Sequence, residues 1–375
     1  TKYYPYIPFM ASGTAGNWLF VDGEKSLYIN LAGLVSSDLT WEKASTFNIG
    51  LDFTMLNQRL DFSFDWYQRT TSDMLVKVEY PEVLGTTAPP ANKAELRTRG
   101  WEVSVKWNDR IGNDFSYDLG FILSDSQAEI TKYENPSGTL SDYYVGQKIG
   151  EIWGYETEGF YQSDTDVQNH ADQSKLGANW APGDIMYKDL DGNKKINNGS
   201  NTLDDHGDLK VIGNTTPRYQ YGITANMSYK NVYLNVFFQG IGKRDFWPSS
   251  QPFWPVATQY YNTQKWFVTD SWSEDNRDAY FARPIARETK NQQKQTKYLQ
   301  DASYCRLKNL TVGYDFPKSW LSFLHVAKAG VYFSAENLFE FTNVKGAYDP
   351  EAAGKNGTMV YPFQRTYSFG LNVTF

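Results

Sequence analysis

The feature that most constrains this chain is a strict two-residue alternation. In the stretch TYSFGLNVTF, residues 366 to 375, Tyr367, Phe369, Leu371, Val373 and Phe375 are apolar, and small or polar Ser368, Gly370, Asn372 and Thr374 stand between them. Residues two apart share one face of a strand, so such a segment is a β-strand with one apolar and one polar face. The beat returns in TFNIGLDFTML (Phe47, Ile49, Leu51, Phe53, Met55) and LDFSFDW (Leu60, Phe62, Phe64, Trp66). It returns again in GWEVSVKW, FSYDLGF, YQYGITANMSY, VYLNVFF, LTVGYDF and GVYFSAENLFEF, which makes nine predicted strands.

The connections between these strands alternate in length. LNQR, NDRIGND, KN and PKSWLSFLHVAK are short, whereas the others are longer, reaching about eighty residues over 134–215 and about sixty over 240–300. Short turns on one rim and long loops on the other are the pattern of an outer-membrane β-barrel. Asp52, Asp61, Asp65, Glu102, Lys106, Asp118, Asn226 and Asn235 oppose the apolar face. They read either as the wall of a wet lumen or as the solvated face of a soluble sheet. An odd count of nine does not close an antiparallel barrel, so the expectation is a partial barrel whose missing strands precede Thr1, with residues 1–37 as an extracellular loop and 38–375 as strands and long loops.

Composition agrees with membrane strands. Aromatic residues make up 17% of the 375 residues and charged ones only 21%, as suits a barrel girdled by rings. No run of apolar residues is long enough for a transmembrane helix, and a mean hydropathy of −0.57 is what half-apolar strands give. A net charge of −7 offers no basic footprint for nucleic acid. One cysteine, Cys305, excludes an internal disulfide, and three histidines, His170, His206 and His325, leave little for a zinc site. The opening TKYYPYIPFM has neither the charged n-region nor the apolar core of a signal peptide. No hydrolytic carboxylate pair, Ser/His/Asp spacing or phosphate loop stands out, so the chain does not read as an enzyme.

Several stretches taken together carry a resemblance: LTWEKASTFNIGLDF, WYQRTTSDML, LRTRGWEVSVKW, IGEIWGYETEGFYQS, APGDIMYKDLDGNKKIN, VIGNTTPRYQYGITANMSYKN, YLQDASYCRLKNLTVGYDFP and FSAENLFEFT. The chain resembles the C-terminal barrel portion of the SusC-like TonB-dependent transporters of Bacteroidetes outer membranes. The resemblance implies a 22-stranded barrel when complete, with an N-terminal plug not contained in these residues. It implies import of an oligosaccharide or peptide, energised by TonB, under a SusD-like surface lipoprotein acting as lid. It also implies that the terminal strand is read by the barrel-assembly machinery, with Phe375 facing lipid. The readings that compete are a porin-like outer-membrane barrel and a soluble β-rich glycan-binding protein.

Two features point to ligands. DLDGNKKIN places Asp189, Asp191 and Asn193 at alternate positions with the Lys195 carbonyl following, as in a calcium loop, and Asp204, Asp205 or Asp208 could complete the set; the candidate ligands are Asp189, Asp191, Asn193, Lys195 and Asp204. Lys194 and Ser200 occupy the positions where that loop wants Gly and a bidentate Glu, so a solvated Asx turn explains the same residues. The long loops also concentrate rings, from Trp153, Tyr155, Phe160, Tyr161 and Trp180 to Trp247, Trp254, Tyr260, Tyr261, Trp266 and Trp272. Trp153, Tyr155, Trp180, Trp247 and Trp254 are the candidate substrate-binding residues, since ring faces stack on sugars or peptide side chains; the alternative is that they pack the loops into ordered lids.

Overall fold

The computed structural model describes the chain except for residues 1–6, 9, 20–24, 31, 33, 37–38, 78–88, 251, 258–262, 323–325, 347 and 353–362. Tyr260, Tyr261 and His325 therefore lie outside the described residues.

The nine alternating segments form one sheet. Its strands are β1 (Lys43–Met55), β2 (Leu60–Lys77), β3 (Pro90–Ile111), β4 (Phe115–Lys132), β5 (Arg218–Tyr229), β6 (Val232–Lys243), β7 (Tyr304–Asp315), β8 (Lys328–Thr342) and β9 (Thr366–Thr374). Each pairs antiparallel with its sequence neighbours, so the sheet is a meander in chain order. Such up-and-down order is how a barrel wall is built.

Register turns the alternation of single strands into two continuous surfaces. One row of paired residues runs Met55, Leu60, Trp107, Leu119, Ala225, Val236, Leu310, Ala335, Tyr367, apolar across all nine strands. On the opposite face a row runs Asn108, Asp118, Asn226, Asn235, Thr311, Ser334, Ser368, polar throughout. Because the period is two, a one-residue slip anywhere would put charges into the apolar belt. The apolar set is not packed into a protein core. Leu51 is 55% exposed, Phe369 is 82% exposed, and Phe47, Ile49, Ile223, Val312 and Leu371 are exposed with them. In water such a band would far exceed the apolar patches that soluble proteins leave open; against hydrocarbon it is the expected surface.

Polar side chains on the other face bond to one another across strands. Lys106 pairs with Asp118 at 3.1 Å, Asn226 donates to Asp118 at 3.2 Å, and Thr311 and Ser334 lie 3.1 Å apart. Tyrosines also fill the space that glycine leaves: the Tyr67 ring covers Gly100, where a Cβ would stand 2.5 Å from the ring carbon bearing the hydroxyl.

Two observations differ from the sequence reading. GWEVSVKW and LDFSFDW are only the cores of β3 and β2, which run on to Pro90 and Lys77. Backbone pairing needs no apolar side chain, so the ladder continues above the belt where the alternation has stopped. Within the expected extracellular loop 1–37, Ser12–Leu19 and Lys25–Ile29 pair as a hairpin.

Short connections lie at one end of the sheet, 56–59, 112–114, 230–231 and 316–327. The first is tight enough that Leu56, Asn57 and Gln58 all take positive φ, 57°, 58° and 64°. At the other end are the long excursions 133–217 and 244–303, and these build the hydrophobic core of the molecule.

Candidate functional site

The two long excursions fold on each other as one cap. Their shared core holds Tyr155, Phe160, Ile185, Tyr187 and Ile196 from the first and Phe253, Trp254, Phe267, Phe281 and Tyr298 from the second. Rings meet edge to face, as Trp254 does on Tyr298 at 5.0 Å and Phe253 on Trp254 at 4.8 Å. That arrangement suits the ring quadrupoles and adds to the burial energy. Burial raises the phenols of Tyr155 and Tyr280 to about 12, and those of Tyr187 and Tyr298 further still.

A buried ion cluster ties the excursions together. Asp184, 0% exposed, accepts from Arg283 at 2.9 Å, Asn291 at 2.9 Å and the Ala181 amide at 3.0 Å, and the Lys290 ammonium lies 2.9 Å away. Lys290 also donates to the carbonyls of Ala178 and Asn179 and stands 4.8 Å over the Trp180 ring. A charge this deep is tolerable only when it is paired and its remaining bonds are satisfied, and both conditions are met.

Strand 151–155 approaches the second excursion closely. The Tyr155 amide donates to the Lys294 carbonyl at 2.8 Å and the Thr296 amide donates back to Tyr155 at 3.1 Å. Gly154 permits this, since a Cβ there would lie 2.5 Å from the Lys294 carbonyl oxygen and 2.6 Å from Ile212.

The sequence-predicted rings take different places in the cap. Trp153, Tyr155 and Trp247 line one cavity of about 550 Å³, together with Lys175, Asn198 and Lys294. Trp153 is half-buried, donates to the Tyr144 hydroxyl at 3.1 Å and packs on the His206 ring at 5.5 Å. Trp247, also half-buried, leans on Trp254 at 6.0 Å. Trp254, 8% exposed, donates to the Pro248 carbonyl and lies in the core, and Trp180 packs between Tyr161, Tyr187 and Lys290. The fold thus brings three of the five together at this cavity, Tyr155 among them being 4% exposed and part of the core, and places Trp254 and the half-buried Trp180 elsewhere in the cap. Sequence reasoning did not single out Lys175 or Lys294, because no local pattern marks which lysine of a loop meets a cavity.

In the acidic loop, the carboxylates brought within 4.8 Å of one another are those of Asp189, Asp191 and Asp208; Asp204 does not belong to that group. Asp208 is fully buried and holds the loop by accepting from the Leu190 and Asn197 amides, at 2.8 and 2.9 Å. Asp189 accepts from Gly192 and Lys194, and Asp191 accepts the Asn193 backbone and side-chain amides. The Lys195 carbonyl accepts from the Asn197 side chain at 3.2 Å. Each carboxylate keeps lone pairs beyond these bonds, so hard-oxygen ligation is chemically open to the three.

Residues 10–338 match the family described as TonB dependent receptor-like, beta-barrel. TonB-dependent receptor P3 of Formosa agariphila is 30% identical over 371 residues, which is 92% of this chain and 35% of that protein. TonB-dependent receptor SusC of Bacteroides thetaiotaomicron is 27% identical over 355 residues, 91% of this chain and 32% of that protein. Among solved structures, that of the RagAB peptide transporter superposes with a TM-score of 0.74 at 23% identity, covering 99% of this chain and 39% of that one, a likeness of fold. The chain spans about a third of the length of the curated relatives it matches. It belongs to the TonB-dependent receptor β-barrel family, in the SusC-like group, and its nine strands are a C-terminal part of an outer-membrane barrel.

Proposed function

We propose that the chain serves TonB-driven import of an oligosaccharide or a peptide, its strands forming part of the barrel wall and its two long loops an extracellular capture surface closed over by a SusD-like lipoprotein. The rest of the barrel and the TonB-contacting plug would be supplied by residues outside this sequence. The observation that carries the reading is the cap. Two excursions on the rim opposite the short turns fold into one ordered body that keeps Trp153 and Trp247 half-buried around a cavity. Flexible loops would gain nothing from a core of this size, whereas a binding surface needs its rings held in place.

The test is growth on, and surface binding of, the nutrient in cells whose transporter carries Trp153→Ala or Trp247→Ala. Loss of a true contact ring weakens capture by about 1 to 3 kcal/mol with normal surface levels. Unchanged capture in both variants would show that these rings only pack the cap. Trp254→Ala is unsuitable, because that ring's removal would open the cap core. A calcium ion in the loop of Asp189, Asp191 and Asp208 is proposed as a support for the cap. Calorimetry on protein with Asp191→Ala should then lose a calcium uptake that the unmodified protein shows; absence of uptake in both would leave an Asx turn.

A further inference from the structure

We infer that the cavity beside Trp153 and Trp247 takes an anionic sugar unit, one bearing a carboxylate or sulfate. This inference rests on the capture reading above and narrows it.

The chain as a whole is acidic, with 43 Asp and Glu against 36 Lys and Arg. The described residues lining this cavity include Lys175 and Lys294 and neither Asp nor Glu. Both lysines are exposed, and neither forms a salt bridge among the described residues, although Lys175 feels the carboxylate of Asp172. Elsewhere in the cap Lys188 and Lys210 pair with Glu156 and Lys290 pairs with Asp184, so the carboxylates nearest those lysines are already engaged. Two exposed lysines outside any salt bridge among the described residues, lining a concave site whose own described lining holds no Asp or Glu, favour an anion there, and concavity strengthens the local potential.

The remaining lining fits a saccharide better than an acidic peptide. Trp153 and Trp247 offer ring faces for the C–H face of a pyranose, while Asn198, Gln292 and Gln293 offer amides that both donate and accept, as hydroxyls require. One way to capture an extended peptide is to add it to an unpaired strand edge. Here strand 151–155 is paired to residues 209–214 on one side, and Tyr155 bridges Gln295 on the other.

The experiment uses the intact transporter, purified from outer membranes, and matched short oligosaccharides: neutral, uronate-bearing and sulfated, with an acidic peptide as a fourth ligand. The expected result is preference for an anionic sugar that falls as salt rises. Lys175→Gln with Lys294→Gln should weaken that ligand about fivefold or more, and by a larger factor than any neutral sugar. Trp153→Ala should weaken every sugar. Binding of neutral sugars as tight as that of anionic ones, indifferent to both lysines but lost with Trp153→Ala, would overturn the anionic assignment and keep the capture reading. Binding of the acidic peptide alone would overturn the saccharide assignment. Sugar binding untouched by the lysine and tryptophan changes alike would overturn both.

Discussion

Replacing Asp184 by Ala should open the cap and leave the barrel standing. Asp184 is fully buried, and its removal strands Lys290, whose side chain is 2% exposed. Breaking a buried pair from one side costs about 3 to 5 kcal/mol, because the remaining charge is desolvated without its counterion. Lys290 would still have the Ala178 and Asn179 carbonyls at 2.9 and 2.8 Å and the Trp180 face, which places the expected cost at the lower end, about 3 kcal/mol. The reverse change is milder. With Lys290→Met, Asp184 keeps Arg283 and Asn291, so about 1 to 2 kcal/mol is expected from one lost charge-assisted contact. The assay is hydrogen exchange of the transporter in membranes, which reads local opening separately from global unfolding. For Asp184→Ala, amides at Tyr155, Ile185, Tyr187 and Gln295 should exchange about a hundredfold faster, since about 1.4 kcal/mol is a factor of ten. Amides of the strands should not change. Cap protection equal to that of the unmodified protein, or a loss spread equally over cap and strands, would refute the view that this cluster locks two loops of an independent unit.

Three further outcomes follow from the same geometry. Leu51→Arg on the apolar face should cost about 2 to 4 kcal/mol in a denaturant titration in lipid vesicles, while Asp52→Asn on the other face should change stability by under about 0.5 kcal/mol. Gly100→Ala should cost about 1 to 3 kcal/mol through the clash with the Tyr67 ring, and adding Tyr67→Ala should recover most of it; a single variant of unchanged stability would contradict the packing. Burial works to raise the Asp184 carboxyl, but the bonds from Arg283, Asn291 and Lys290 outweigh it and hold the carboxyl below its ordinary 3.8. A carboxyl depressed by folding stabilises fully above its unfolded pKa and loses that contribution as pH falls through the folded value. Cap protection should thus be level from about pH 7 to about pH 5 and fall below about pH 4; loss beginning near neutrality would assign the effect to another group.

How much could be read from the residues depended on the distance over which the determining contacts act. Leu119 and Asp118 announce their opposite faces within two positions, so the nine strands, their order and the alternation of turns were legible. The ends of β2 and β3 were not, because above the belt the strands are held by backbone ladders to which Arg69 or Asn92 contribute no periodic signal. The cap was legible only as a concentration of rings. What decides that Trp254 is core while Trp247 lines a cavity is contact with Tyr298 and Phe253, and what ties Asp184 is Arg283, 99 positions away. Along the chain Asp204, Asp205 and Asp208 stand equally near the acidic loop, and local spacing does not distinguish them. Only the folded chain, with the Leu190 and Asn197 amides on Asp208, brings that carboxylate to Asp189 and Asp191.

The central claim is that alternate residues of these strands face lipid and an aqueous lumen. Its most direct test is single-cysteine labelling along β5 in a Cys305→Ala background, with the transporter in vesicles and a fluorophore at Ile223, Thr224, Ala225, Asn226, Met227 or Ser228. Lipid-borne nitroxides should quench Ile223, Ala225 and Met227, and a water-soluble quencher should reach Thr224, Asn226 and Ser228, so that the two signals alternate out of phase with period two. Equal quenching of all six positions by the water-soluble reagent, or no period-two alternation with the lipid-borne one, would contradict the account.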